Sequence, residues 1–426
     1  MQQLPQRDRL VELRRALHRH PEPAWCEFWT TARIVDELRR IGVDELYVGE
    51  DAVDSAARMA VPDAATLAEW RERALEAGAD PDLVEQMAGG HTGAVAVLRR
   101  GEGPTVGLRV DIDGLPREES ESDEHLPARE GFRSETGAMH ACGHDAHATF
   151  GVGVLEAIAG GDFRGTLKLF FQPAEEQVGG GKAMAESGHL DDVDYLLAVH
   201  VGLGYPTGEV VAGVDDILAV WGFVADFAGE PAHAGMRPNE GRNAVRSMAT
   251  AVGNLHAIPR HEDGATRVNA GVVSGGTASN IVPESASIEG EVRGETTALK
   301  EYMVGRAREV LEHAGAMHGC DVDVETVSEA PGGENDEAVV DVAYRSAGEV
   351  SGVERRRERG SLGGSEDATY LMERVQSHGG EAAYLGVGTD HPGGHHTATF
   401  DVDEDSLPTG VEWLARTVER LAEERP

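Results

Sequence analysis

Leu167-Lys168-Leu169-Phe170-Phe171-Gln172-Pro173-Ala174-Glu175-Glu176 reads as a buried strand that runs on through Gln172-Pro173-Ala174 and delivers two adjacent carboxylates to a turn. Val106-Gly107-Leu108-Arg109-Val110 has the same form and leads into Asp111 and Asp113. Strands of this kind, alternating with helical patterns over the N-terminal half, predict an α/β sheet. In such sheets, sites gather in the loops beyond the carboxyl ends of the strands, which is where these carboxylates fall.

Toward the N-terminus, Leu10, Leu13, Leu17 and then Ile34, Val35, Leu38 recur at helical spacing, and Pro21 and Pro23 divide them into helix, turn and helix. Ala64 to Glu76 is also helical in pattern, so Tyr47 to Gly90 reads as an insertion before a strand at Gly93 to Leu98. Toward the C-terminus a second pattern begins near Asp215. Strands are expected from Leu218 to Ala228, Thr266 to Val273, Ala286 to Gly294 and Asp321 to Thr326, with helices from Gly241 to His256 and Thr297 to Gly315. That β-α-β-β-α-β order is the ferredoxin-like arrangement. Residues 215–326 are therefore expected to form an inserted domain. Residues 1–214 and 327–426 form the main one, which the chain rejoins through helices at Val339 to Glu349 and Glu366 to Arg374 and a strand at Ala382 to Val387.

A formal charge of −38, from 76 acidic and 38 basic residues, excludes nucleic acid as a partner, because phosphate contacts need clustered positive charge. The acidity is spread along the whole chain. This suits a halophilic cytoplasm, where salt screens the self-repulsion, although an acidic protein of an ordinary cytoplasm fits the same numbers. No apolar run approaches the roughly 18 residues of a membrane span. Met1 to Arg15 is polar and mixed in charge rather than signal-like, so a cytoplasmic protein is expected. Cys26, Cys142 and Cys320 lack the spacing of a disulfide framework or a zinc ribbon.

Of the 18 histidines, His125, His189, His261, His313, His318 and His378 stand singly and read as surface or packing residues. Cys142 and His144, two apart across Gly143, can converge on one point as ligands of a borderline divalent metal such as zinc or manganese. A buried thiol beside a satisfied histidine is the other reading. Glu175 and Glu176 can divide two tasks, one holding metal and the other taking a proton from water. His200 ends the apolar run from Tyr195, and His396 ends Gly393-Gly394-His395-His396. Asp111 and Asp113 point to one side, where an aspartate can orient a ligating imidazole.

Five ordered motifs carry a resemblance: Arg14 to His18 with Pro21, Glu22 and Glu27; Leu108 to Asp113; Met139 to Asp145; Phe171 to Glu176; and Ser365-Glu366-Asp367. Together they resemble the amidohydrolase branch of the dinuclear-metal aminoacylase and carboxypeptidase superfamily, from about Arg14 to Glu404. The inserted stretch, with Val53 to Met59 and Gly89 to Gly93, resembles one subgroup and is absent from the shorter acyl-amino-acid hydrolases of the branch. The resemblance implies a zinc-peptidase-like catalytic domain carrying an inserted lid and dimerisation domain. It implies two divalent ions, Mn or Zn, held by Cys142, His144, Glu176, His200 and His396, with the Cys142 thiolate shared. Glu175 would be the general base and Asp113 an orienting carboxylate, with Asp111 on the same side and His395 the competitor for the last ligand. In the inserted domain His233, Asn280 and Arg293 match substrate-contacting positions. The implied reaction is hydrolysis of an N-acyl amino acid, its acyl group aromatic and its amino acid glutamate. An N-acetyl or indoleacetyl substrate, or a metal-binding partner protein without turnover, are the alternatives. A homodimer, or a heterodimer with a related second chain, is implied as well, with the lid histidine reaching the neighbouring protomer's site.

Overall fold

The computed structural model describes residues 4–391 and 393–426. The apolar runs form an eight-stranded sheet in the order Glu45–Val48, Ala94–Arg99, Thr166–Gln172, Thr105–Asp111, Tyr195–Val201, Glu381–Val387, Glu209–Val211 and Arg355–Arg357. Its four central strands, from Thr166–Gln172 to Glu381–Val387, are mutually parallel. They are almost entirely buried, as expected of strands covered on both faces. Parallel direction places all four carboxyl ends at one edge, so the loops bearing Asp113, Glu175 and His396 leave from the same side as the strand end that carries His200. The strand expected to run through Ala174 stops at Gln172. Pro173 cannot donate to a ladder, and Ala174 turns the chain with φ 57°.

Helices pack on this sheet by the expected stripes. Arg7–Arg19 buries Leu10, Leu13 and Leu17, and Phe28–Ile41 buries Ile34, Val35 and Leu38. The helix His144–Ala159 is buried almost throughout. Ala64–Glu76, within the insertion, is capped by the Asp63 side chain accepting from the Thr66 N–H.

The chain divides into two compact units, one comprising residues up to Asp215 with Glu334–Leu362 and Glu366–Pro426, the other Asp216–Gly333 with Gly363–Ser365. The second unit has a four-stranded antiparallel sheet in the order Thr266–Gly275, Ser285–Gly294, Ala219–Ala228, Asp321–Ala330, with helices Ala244–Leu255 and Thr297–His318. This is the ferredoxin-like order, with a core of Trp221, Phe223, Phe227, Ile288, Met303 and Leu311 among others. Its last strand outruns the expected end at Thr326 because a bulge between Thr326 and Ser328 lets pairing continue to Ala330. Among the described residues no helix is long and apolar enough to cross a membrane.

Candidate metal centre

Gly143 sets the first part of the site. It takes a left-handed conformation, φ 87° and ψ 20°, at the start of His144–Ala159, so that Cys142 and His144 flank a sharp turn instead of continuing one helix. His144 Nδ1 lies 3.2 Å from Asp113 Oδ1 and 3.0 Å from the Asp113 carbonyl oxygen, so it carries the proton and donates. Its Nε2 is buried without a hydrogen-bond partner and faces Glu175 Oε2 and Glu176 Oε1, each 3.9 Å away. An imidazole held at one nitrogen by a carboxylate and bare at the other is the arrangement of a metal ligand. Asp113 also accepts the Glu176 N–H at 3.0 Å, so one carboxylate positions both a histidine and the glutamate loop.

Glu175 and Glu176 are presented by the turn at Ala174, whose N–H donates to Glu27 Oε1 at 2.8 Å; Glu27 is itself buried and accepts from Thr92 Oγ1 at 2.5 Å. His200 donates from Nδ1 to the Val201 carbonyl at 2.7 Å, leaving Nε2 3.4 Å from Cys142 Sγ. His396 Nε2 lies 3.4 Å from Glu176 Oε2, and the backbone N–H of His396 donates to the Ala141 carbonyl at 2.8 Å.

Cys142 thus belongs to two trios whose donor atoms lie within 4.8 Å of one another, Cys142-His144-His200 and Cys142-Glu176-His396, and His144, Glu175 and Glu176 make a third. All five expected ligands and Glu175 are brought together, and a sulfur common to two trios has the geometry of a shared ligand. Thiolate, imidazole and carboxylate donors around an unpartnered buried nitrogen fit a pair of borderline divalent ions. Burial, with Glu366, Asp367 and Glu176 nearby, pushes the Glu175 carboxyl well above its ordinary range. Burial likewise pushes Glu176 up to about 8 and the Cys142 thiol upward.

His395 approaches the same sulfur, with Nδ1 3.5 Å from Cys142 Sγ. Its Nε2 accepts the Leu203 N–H at 3.3 Å, so Nδ1 carries the proton and donates to sulfur. His395 appears in none of the candidate ligand groups among the described residues. Asp111 has both oxygens engaged, one by His147 Nδ1 and the other by Arg109 at 2.8 Å. His147 is equally committed, since its Nε2 accepts the Val201 N–H at 2.8 Å.

Sequence reasoning assigns no role to two residues near the cluster. His147 lies three residues after His144 on the same helix face, a spacing that could have flagged it. Glu366 groups with Asp111 and Glu175, and its Oε2 is buried without a hydrogen-bond partner. Its neighbour Asp367 accepts from Gln172 Nε2 at 2.6 Å and from the Gly180 and Gly181 N–H groups, which ties down the loop after Glu176.

A second buried network supports the N-terminus of His144–Ala159. Arg14 pairs with Asp145 at 2.6 Å and with Asp401, and His18 bridges Asp145 and Glu119 at 2.8 and 2.9 Å. Burial and Arg14 oppose protonation of His18, but the two carboxylates overcome them and raise it to about 9.

His233, Asn280 and Arg293 belong to the second unit. His233 and Asn280 are neighbours: Ala232–His233 pairs with Ile281–Val282, and the Ala234 N–H donates to the Asn280 carbonyl at 2.9 Å. His233 Nδ1 accepts the Gly235 and Met236 N–H groups at 3.2 Å, which leaves an exposed Nε2–H. Arg293 stands on Ser285–Gly294 with its fork closed on Glu291 at 3.0 and 3.1 Å. A substrate carboxylate there would compete with Glu291.

Residues 107–420 match the family described as Peptidase family M20/M25/M40. The chain is 43% identical over 413 residues to indole-3-acetyl-aspartic acid hydrolase of Enterobacter agglomerans, covering 96% of this chain and 94% of that protein. It is 41% identical to one of the subunits of p-aminobenzoyl-glutamate hydrolase of Escherichia coli (strain K12), covering 96% and 95%. The crystal structure of an aminobenzoyl-glutamate utilization protein from Klebsiella pneumoniae superposes with a TM-score of 0.82 at 36% identity, over 98% of this chain and 97% of that one. The chain therefore belongs to peptidase family M20/M25/M40 and is an amide-bond hydrolase.

Proposed function

We propose that this protein cleaves the amide of an N-acyl amino acid whose acyl group is aromatic and whose amino acid is acidic, with p-aminobenzoyl-glutamate, giving p-aminobenzoate and glutamate, as the first candidate. The sulfur of Cys142 shared between two ligand trios beside the buried Glu175 carries the reading. The relatives at 43% and 41% identity are named for indoleacetyl-aspartate and p-aminobenzoyl-glutamate, which share an aromatic acyl group and a dicarboxylic amino acid.

Cys142, His144, Glu176, His200 and His396 would hold two divalent ions, manganese or zinc. When bound, the ions supply a water acidified toward neutrality and positive charge for the developing oxyanion. Glu175 takes the proton of the attacking water and returns it to the leaving amine. Asp113 keeps His144 in one tautomer and holds the glutamate loop in place. His395 donates to the Cys142 thiolate instead of acting as a ligand. The free Nε2–H of His233 suits donation to a carbonyl oxygen, and Asn280 and Arg293 are assigned to the substrate's polar groups. We also propose a cytoplasmic, salt-adapted protein working as a homodimer, or as a heterodimer with a related second chain, through the inserted lid domain.

Assay of the purified chain, loaded with manganese and separately with zinc, tests the reading. Substrates are p-aminobenzoyl-glutamate, indoleacetyl-aspartate and acetyl-glutamate. At least one aromatic substrate should be preferred by kcat/KM, and cleavage of acetyl-glutamate alone would overturn the specificity.

A further inference from the structure

Beside Glu176 a cavity of about 200 Å³ opens among four loops of the first unit. Pro23, Ala24, Ala60, Pro62 and Pro116 wall it, and Glu176 with Gln177 closes one side. An apolar cavity of about 150 Å³ holds a benzene ring, so this volume is enough for one flat ring.

The walls are tied to one another and to the site. The Gly114 N–H donates to the Glu22 carbonyl at 2.8 Å, and Pro23 bridges to Gly114, which joins the first motif's turn to the loop carrying Asp113. Glu22 in turn accepts the Trp29 and Thr30 N–H groups at 2.9 and 2.8 Å, fixing that turn to the next helix. On the other side, the Trp25 indole donates to the Met59 carbonyl at 2.7 Å, and the Met59 N–H donates to the Gly179 carbonyl at 3.3 Å. The residue before Ala60 is thus pinned through both backbone groups. Arg58 lies over the Trp25 ring at 5.2 Å and donates to the Gly89 carbonyl at 2.8 Å, anchoring the same segment again. A pocket held this way loses little freedom when it is filled.

Its chemistry is selective. Three prolines and two alanines offer flat apolar walls, and Gln177 is the one uncharged polar side chain among the described lining residues. None of the described residues lining it is an arginine or lysine that could pair with the dicarboxylic end of the substrate. We infer that this cavity is the acyl pocket, receiving the aromatic ring while the attached carbonyl lies at Glu176. The inference rests on the function proposed above. Full burial of a ring of phenyl size corresponds to about tenfold to a hundredfold in affinity, whereas an acetyl methyl gains little.

The test compares kcat/KM for p-aminobenzoyl-glutamate and acetyl-glutamate in the wild type and in two variants of the manganese-loaded enzyme. Ala24→Leu fills the cavity, and Pro62→Ala, half-buried in an irregular, otherwise exposed stretch, removes part of a wall without touching the core. The aromatic-to-acetyl ratio should fall at least tenfold in Ala24→Leu and severalfold in Pro62→Ala, through KM. If the wild type itself shows no aromatic preference, the proposed function fails. If it does, and Pro62→Ala keeps the wild-type ratio, or Ala24→Leu lowers both substrates equally, the pocket assignment is wrong. If Ala24→Leu does not fold, Pro62→Ala decides alone.

Discussion

Gly143→Ala should damage stability and metal binding together. Alanine at φ 87° carries a left-handed backbone cost of about 1–2 kcal/mol. An added Cβ would also fall far inside van der Waals contact of Val201 Cγ1 and only 3.3 Å from Val402 Cγ2, where carbons rest at about 3.5–4.0 Å. Neither neighbour can give way freely: Val201 is the last residue of a central strand, and Val402 is buried. Overpacking of this kind costs about 1–3 kcal/mol, so the total is about 2–5 kcal/mol. If the turn relieves the overlap by shifting, Cys142 and His144 move with it, and ligand sites tolerate only about 0.2 Å. Urea unfolding of the metal-free chain should show the stability loss, and competition with a chromophoric chelator should show metal affinity about 10–100-fold weaker, as when a ligand's supporting partner is lost. Wild-type midpoint and wild-type affinity in Gly143→Ala would refute the reasoning.

His396→Ala should lose one equivalent of metal, whereas His395→Phe should keep both; with cobalt bound, the thiolate charge-transfer band of His395→Phe should move to lower energy, because a hydrogen bond to sulfur is gone. An unmoved band would return His395 to a packing role. His18, raised from 6.5 to about 9, stabilises the fold fully below pH 6.5, and that contribution is lost as pH rises through 9. The loss is on the order of 3 kcal/mol. Urea midpoints of the metal-free chain should fall over that window, and His18→Gln should flatten the slope. The charge of −38 predicts a melting temperature that rises steadily from low to molar potassium chloride. A flat response would remove the salt-adapted reading.

The sheet was legible because its central strands are nearly continuous apolar runs, and the second unit because its strands and helices alternate cleanly. The register of Cys142 and His144 across a glycine was legible for the same reason, since it is local. What sequence could not supply was which polar residues already have partners. Asp111 and Asp113 look alike two residues apart. Only the structure shows that Arg109 and His147 occupy the first while the second faces His144 and the Glu176 N–H. His395 and His396 are alike by type, and only the structure shows the Leu203 N–H, almost two hundred residues away, occupying one nitrogen of His395. Arg293 reads as a free fork until Glu291, on the same strand face, is seen closing it.

The central claim is that five ligands hold the ions while Glu175 moves the proton. Metal content and turnover of Glu175→Gln, measured on the same preparation, test it most directly. Two equivalents of metal should remain, with kcat on p-aminobenzoyl-glutamate lowered by about 10²–10⁴. Turnover at the wild-type rate would contradict the assignment of the base, and loss of an ion would contradict the division of labour between Glu175 and Glu176.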